Sequence, residues 1–545
     1  MFLYERIEYA KELVNKKMLR EALKEFQSLI SIADDIKKES IYFEIGKIYT
    51  MLNENLKAKN MLVKIKHDKQ YKQLSINLLL DNYKKLAMKQ KILNLYKNLV
   101  KENEKIPTEL LGYVIEIEMQ KKKYKEALKI ISKIDKKEFE KIKSIVNNLY
   151  IEVTSYIKKL NLEGKHTQVK KLYLQLNNYI ADDEKKIKNI LLNEYEISQG
   201  RVVLESLPRT LNLVLTSKCN LNCIMCENHK ENIELSDKQF EDIIEILPYL
   251  QKLILRGGEV FLDKRLYNLL DEAGKNHINT EIVTNGQLLN NHIINKLLDN
   301  KVEVTFSIDS VDEKNYESIR VGGSFKKLLN NLKNFKELKK IKKSEILTRL
   351  TMVVMKRNYK EIENIIDFAK EYDFNEIYLL PVYGSYVGKE ENFFDYGVDY
   401  NIIKELSIKK GKFKKAADRY LIKLNNRLPD IKDYDSGNDL NANFRIRKNI
   451  SEKIIFTKQS DKKTGINNLF CFAPWQQMFL MNNNVAIPTC MCSFSLNNNE
   501  KGNKNESNFI IDKWNSTEML EYRNRIVSNK YKEICIKDYL CSKYI

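Results

Sequence analysis

Apolar residues recur every three or four positions from the start of the chain to about residue 200, as in "IEYAKELVNKKMLREALKEFQSLI". That period predicts one helix after another, and Pro107 is the only proline before Pro208. Within this stretch, a residue that lets a neighbouring helix approach is followed four positions later by a larger one. The pairs are Ala22 and Phe26, Ala58 and Leu62, Ile92 and Tyr96, Ala127 and Ile131, and Val169 and Tyr173. Their first members are 36, 34, 35 and 42 residues apart, so the pattern predicts a repeat of packed helix pairs; an ordinary helical bundle is the plainer alternative.

After Pro208 the pattern changes. Short β-branched runs predict strands at 211–216, 252–257, 280–285, 302–309, 347–355 and 376–382. Amphipathic helices fill the gaps, for example "SDKQFEDIIEILPYL", which Ser236 or Asp237 would cap. Strand and helix in alternation mean right-handed βα units around a parallel sheet, doubly wound or curled into a barrel. Ligands of such sheets bind at the C-terminal ends of the strands. Residues 386–466 read as an insertion of unknown role, a lid being one option. Near the end, "QQMFLM", the turn at Asn482–Asn484 and "VAIP" predict a β-hairpin. Such a hairpin would bring Cys471 near Cys490.

A chain of 545 residues, 43% hydrophobic and 10% aromatic, calls for several folded domains. The N-terminus has charges at Glu5 and Arg6 and no unbroken apolar core, unlike a signal peptide, and no run is long enough to span a membrane. A cytoplasmic protein without a membrane partner is expected. The net charge of +20 would suit nucleic acid, but the lysines are spread along nearly every helical segment, which favours a solvated-face reading over a nucleic-acid surface.

The eight cysteines change the picture most. None precedes Cys219; three lie within "CNLNCIMC" as Cys219, Cys223 and Cys226, and five follow as Cys471, Cys490, Cys492, Cys535 and Cys541. In a reducing compartment such clusters point to metal rather than disulfides. Three thiols directly after the first strand leave two metal readings open. One is zinc with His229 as fourth ligand. The other is a four-iron cluster whose fourth iron has no protein ligand.

The strand ends add further motifs. "RGGEVF" contributes Gly257, Gly258 and Glu259, "TNG" contributes Thr284, Asn285 and Gly286, "SIDS" spans Ser307 to Ser310 with Asp309, and "YESIRVGGSF" contains Arg320. With the three-cysteine loop, these make residues 208–385 resemble the radical S-adenosylmethionine (SAM) enzymes. The resemblance implies a [4Fe-4S] cluster on Cys219, Cys223 and Cys226, with SAM chelating the open iron. It implies that Glu259 receives the SAM ammonium and Arg320 its carboxylate, natural partners of a zwitterion. Met225, Gly257, Gly258, Thr284, Asn285, Ser307 and Asp309 join the SAM-binding set. Asp309 is also the one general acid/base candidate, or a partner of the SAM ribose. The family's usual aromatic before the last cysteine is Met225 here, and its usual proline after the glutamate is Val260; neither removes a ligand. His229 and His277 read as surface histidines, and Tyr378 and Tyr383 as packing or mouth residues.

The last segment resembles the SPASM/twitch extension of those enzymes, which implies one auxiliary [4Fe-4S] cluster on Cys471, Cys490, Cys535 and Cys541 with Cys492 as the extra thiol; a structural zinc is the plainer alternative. The helical part resembles a degenerate tetratricopeptide array, whose period is about 34 residues. The expected architecture is therefore multidomain. It comprises a helical repeat region at 1–200, a partial (β/α)6 barrel at 207–385, the insertion at 386–466, and a small cysteine-rich α+β domain at 467–545. The implied activity is reductive SAM cleavage followed by hydrogen abstraction, with electrons from flavodoxin or ferredoxin. A peptide or protein held by the repeats is the favoured substrate, ahead of a carbohydrate or other small metabolite; a non-catalytic, metal-stabilised scaffold is the contrasting reading.

Overall fold

The computed structural model describes residues 3–134, 136–226, 234–382, 387–388, 390–394, 396–431, 472–480, 486–487 and 508–528. His229, Tyr383, Cys471, Cys490, Cys492, Cys535 and Cys541 lie outside the described residues. The chain divides into two compact units, one of Met1–Ile157 with Lys171–Asp183, the other of Lys158–Lys170 with Glu184–Ile545.

The first unit is all helix. Its helices follow in pairs: α1 (Leu3–Asn15) with α2 (Leu19–Leu29), α3 (Asp35–Met51) with α4 (Asn55–Leu62), α5 (Lys69–Lys85) with α6 (Lys89–Lys101), and α7 (Thr108–Gln120) with α8 (Tyr124–Ile131). After the short α9 (Lys136–Phe139) come α10 (Lys143–Leu162) and α11 (His166–Leu176), of which Lys158–Lys170 belongs to the second unit. The paired residues read from the sequence all fall on the second helix of a pair. Ala22, Phe26, Ala58, Leu62, Ala127 and Val169 are fully buried there.

One kind of turn joins all five pairs. Each pair is joined through a residue with left-handed φ: Lys17 (61°), Asn53 (59°), Ala87 (52°), Lys122 (57°) and Gly164 (69°). The next N–H reaches back five residues, from Met18 to Leu13, Glu54 to Tyr49, Met88 to Tyr83, Lys123 to Glu118 and Lys165 to Leu160. This Schellman closure satisfies carbonyls that the helix end leaves unpaired.

In the second unit α12 (Lys185–Gln199) leads into β1 (Thr210–Thr216). Then β and α alternate: α13 (Asp237–Ile246), β2 (Lys252–Gly257), α14 (Leu266–Lys275), β3 (Asn279–Thr284), α15 (Asn291–Asp299) and β4 (Glu303–Ser307). After α16 (Glu313–Ile319) and α17 (Phe325–Ile341) come β5 (Thr348–Val354), α18 (Ile362–Glu371), β6 (Glu376–Pro381), α19 (Tyr400–Arg419) and β7 (Lys423–Asn426). The described remainder is α20 (Ala473–Gln476), β8 (Gln477–Leu480), β9 (Ala486–Ile487), α21 (Phe509–Trp514) and α22 (Thr517–Val527). No helix of the described residues is long and apolar enough to cross a membrane.

All six expected strands form, in one sheet ordered β7-β6-β5-β4-β3-β2-β1-β8-β9. Eight strands are parallel and only β9 runs antiparallel, against β8. The architecture is the expected helical region followed by a parallel α/β partial barrel, with two more parallel strands than the sequence pattern predicts. Strand β7, "KLNN", carries too few apolar residues to be legible as a strand. The predicted hairpin forms as β8 and β9, and its first strand also joins β1, in register from Thr210 beside Gln477 to Leu213 beside Leu480.

One sheet face carries the core. Leu211, Leu213, Leu253, Leu255, Ile282, Val304, Phe306, Leu350, Ile377 and Leu379 are buried in one cluster with helix residues such as Phe240, Leu269, Leu297 and Ile365. The alternate positions form the other face, and near the strand starts they are charged. Lys252 pairs with Glu281 at 2.9 Å, and Arg349 reaches Glu281, Glu303 and Glu376 at 3.5, 2.8 and 3.3 Å. Lys423 pairs with Glu376 at 3.1 Å. With the helices packed on the core face, this other face is the concave inside of the partial barrel, where Arg349 on β5 reaches across β4 to Glu281 on β3.

The final segment docks through both tryptophans, which are fully buried. Trp475 Nε1 donates to the Arg201 carbonyl and Trp514 Nε1 to the Ser206 carbonyl, each at 2.7 Å. Arg523, also fully buried, donates to the carbonyls of Pro474, Val202 and Trp514 at 2.8, 2.9 and 2.8 Å and to Asn515 Oδ1 at 2.9 Å.

Candidate functional site

The loop after β1 carries the three cysteines and is braced on both sides. On one side Gly258 N–H donates to the Thr216 carbonyl and Glu259 N–H to the Lys218 carbonyl, both at 2.8 Å. A side chain at Gly258 would press into the Lys218 and Ser217 carbonyls, and at Gly257, with φ of +139°, into that of Thr216. Glycine is required at both because two backbones touch there. On the other side Asn222 N–H donates to the Val321 carbonyl (2.8 Å) and Ile224 N–H to the Ile319 carbonyl (3.0 Å), at and just past the end of α16.

Within this frame Cys223 is buried and Cys219 and Cys226 are half-buried, all three free of disulfides. Leu221 N–H points at Cys219 Sγ at 3.4 Å. Burial pushes the Cys219 thiol up and the Cys223 thiol up to about 11, with Arg320 pulling Cys223 the other way. Thiolates in this loop therefore need a cation to stabilise them. Among the described residues, no three His, Cys, Asp or Glu side chains could together hold a single metal ion. A cluster makes a different demand, because each thiolate takes its own iron.

Glu259 has no solvent exposure. Its carboxylate accepts from Thr284 Oγ1 at 2.8 Å and from Asn285 N–H at 2.9 Å. Burial nevertheless pushes it up to about 7, the two donors working against that shift. Asn285 reaches the cysteine loop through Nδ2 to Asn220 Oδ1 at 2.9 Å. The ends of the first three strands are thus joined through Asn220, Glu259 and Asn285.

Arg320 and Asp309 form a second buried group. Arg320 Nη2 lies 2.6 Å from Asp309 Oδ2, and Nη1 donates toward Cys223 Sγ at 3.7 Å. Asp309 Oδ1 accepts from Val353 N–H at 2.7 Å. Arg320 Nε is buried with no hydrogen-bond partner among the described residues. Ser307, the last residue of β4, is half-buried beside Thr351, whereas Ser310 turns away to Glu361 at 2.7 Å. Met225 is half-buried against the core. His277 is exposed at the turn after α14, and the Tyr378 hydroxyl donates to Glu376 at 3.2 Å.

The structure brings most of the expected residues to one edge of the sheet. Two contacts were not legible in the sequence: the Asn220–Asn285 bridge and the approach of Arg320 to Cys223. Asn220 stands inside the cysteine motif, but nothing in its spacing signals a partner two strands away. The donor set fits a cluster with SAM beside it. It offers three thiols, a buried carboxylate for an ammonium, an unpaired buried guanidinium N–H for a carboxylate, and a backbone surface free of side chains.

Residues 213–369 match the family model described as the Radical SAM superfamily. The mycofactocin maturase MftC of Mycobacterium ulcerans (strain Agy99) is 26% identical over 171 residues, 30% of this chain and 45% of the relative. The AdoMet-dependent heme synthase of Methanosarcina barkeri (strain Fusaro / DSM 804) is 25% identical over 178 residues, 31% of this chain and 49% of the relative. SuiB of Streptococcus suis bound to S-adenosylmethionine is a similar solved structure, with a TM-score of 0.45 and 17% identity over 69% of this chain and 80% of that chain. The chain spans less than half the length of these two curated relatives. Over residues 213–369 of its α/β region, the chain is similar to the Radical SAM superfamily.

Proposed function

We propose that the protein is a radical SAM oxidoreductase acting on a peptide or protein. Cys219, Cys223 and Cys226 hold the four-iron cluster. Gly257, Gly258, Thr284, Asn285, Ser307 and Met225 form the SAM surface around Glu259. The observation that carries this reading is Glu259, a buried carboxylate without an ion-pair partner among the described residues, fixed by the same backbone contacts that shape the cysteine loop. When bound, these groups supply reductive cleavage of the sulfonium and abstraction of a substrate hydrogen by the resulting 5′-deoxyadenosyl radical.

The chain's own residues prepare the site. Glu259 receives the ammonium as a carboxylate, and Arg320 offers Nε to the SAM carboxylate while holding Cys223. Asp309, sealed from solvent, keeps the guanidinium oriented, so its part is positioning rather than proton transfer. One auxiliary cluster on four of Cys471, Cys490, Cys492, Cys535 and Cys541, and a flavodoxin or ferredoxin as donor, belong to the same proposal.

A peptide substrate is supported by the relative named a maturase and by the repeated helix pairs, which in arrays of this kind form extended binding surfaces. The relative named a heme synthase favours a small metabolite as the second reading. The test is anaerobic reconstitution, with iron counted per chain and 5′-deoxyadenosine measured under dithionite. About eight irons with product are expected, and about four irons with none in the Cys219→Ala/Cys223→Ala/Cys226→Ala protein. A fully loaded wild type that releases no 5′-deoxyadenosine would sink the proposal.

A further inference from the structure

Among the described residues, the concave face of the sheet contains one strand cation that its neighbours leave unmatched. Along β2, Leu253 and Leu255 are buried in the helix-side core, so Lys252, Ile254 and Arg256 project from the concave side. Arg256 is half-buried, two residues before Gly258 and beside Val214 of β1. Its guanidinium lies 5.6 Å from the ring centre of Phe479 on β8. Its Nε is buried without a hydrogen-bond partner among the described residues.

The other strand cations on this face are paired. Lys252 has Glu281, Arg349 has three glutamates, and Lys423 has Glu376. Among the described residues no carboxylate lies within ion-pair reach of Arg256. A half-buried guanidinium has given up hydration and regains it best from an anion. Its planar fork suits a carboxylate, and one face can rest on an aromatic ring while the N–H edge binds. Farther along the same face, Ser307 on β4, Thr351 on β5, Tyr378 on β6 and Asn425 on β7 are half-buried and polar, a surface suited to a polar ligand.

We infer that Arg256, with Phe479 as its platform, is a specificity residue that binds a carboxylate of the substrate, so that the protein selects an acidic peptide. This rests on the proposed peptide-modifying reading and names the substrate class of the same site. The net charge of +20 acts in the same direction, drawing acidic ligands toward the protein.

The experiment measures equilibrium binding to the full-length, cluster-loaded protein without reductant. The probes are two synthetic peptide pools of equal length, one rich in Asp and Glu, the other with Asn and Gln in those places. Wild type is expected to bind the acidic pool at least about tenfold more tightly, the range of one charge-assisted hydrogen-bonded pair. Arg256→Gln is expected to bring the pools within about twofold, and Arg256→Lys to retain part of the preference. Equal binding of both pools by wild type, or a preference that survives Arg256→Gln, would overturn the inference. So would a parallel loss of SAM affinity, which would place the guanidinium on SAM instead. Because no turnover is needed, a protein that prefers acidic peptides yet cleaves no SAM would keep this site and lose the radical reading.

Discussion

Glu259 is the residue whose ionisation the fold resists most usefully. Its ordinary value of 4.5 rises to about 7 through burial, so the folded protein holds a proton that the unfolded chain would release. Between those values the native state binds more protons, and stability falls as pH rises. The metal-free protein is expected to lose roughly 3 kcal/mol between pH 4.5 and pH 8, by denaturant titration, and Glu259→Gln to remove most of that slope. With Glu259 in its proposed role, SAM binding is expected to run the opposite way, tightening as pH climbs through 7, because the ammonium needs the ionised form. In the sequence Glu259 stands out because its motif is local: two glycines and a carboxylate at a strand end. Arg320 was equally visible, but its contact with Cys223 depends on how α16 returns to the cysteine loop, which no spacing records.

At the scale of elements, the helix pairs share one closing turn, and its φ > 0 residue is glycine only at Gly164. A Cβ in the left-handed region costs about 1 kcal/mol. Ala87→Gly is therefore expected to raise the stability of the first unit by about 0.5–1 kcal/mol, read from its thermal transition, although a glycine placed inside α5 would lower it. The repeat was legible because small-then-large residues mark the second helix of each pair. The turn was not, since Lys17, Ala87 and Lys122 are ordinary helix formers whose conformation the backbone imposes. Strand β7 escaped for a related reason: a short edge strand next to β6 needs backbone pairing more than apolar side chains.

For the second unit as a whole, Arg523 ties the final segment to the rest. It is a buried cation met by four oxygens and stacked 4.5 Å over Trp514. Burial pulls its pKa down, and the four acceptors offset that cost. Arg523→Met is expected to destabilise the second unit by about 2–4 kcal/mol and to expose β8 amides to hydrogen exchange before those of β3. The strand order has a consequence for synthesis. Strand β1 is made early, and the strand that covers its free edge, β8, is made only after the rest of the α/β core. On the ribosome, that sheet carries an open hydrogen-bonding edge beside the cysteine loop while about half of the chain is made. Such edges recruit other chains, so the stretch between β1 and β8 is the interval in which the nascent chain is open to pairing with its neighbours.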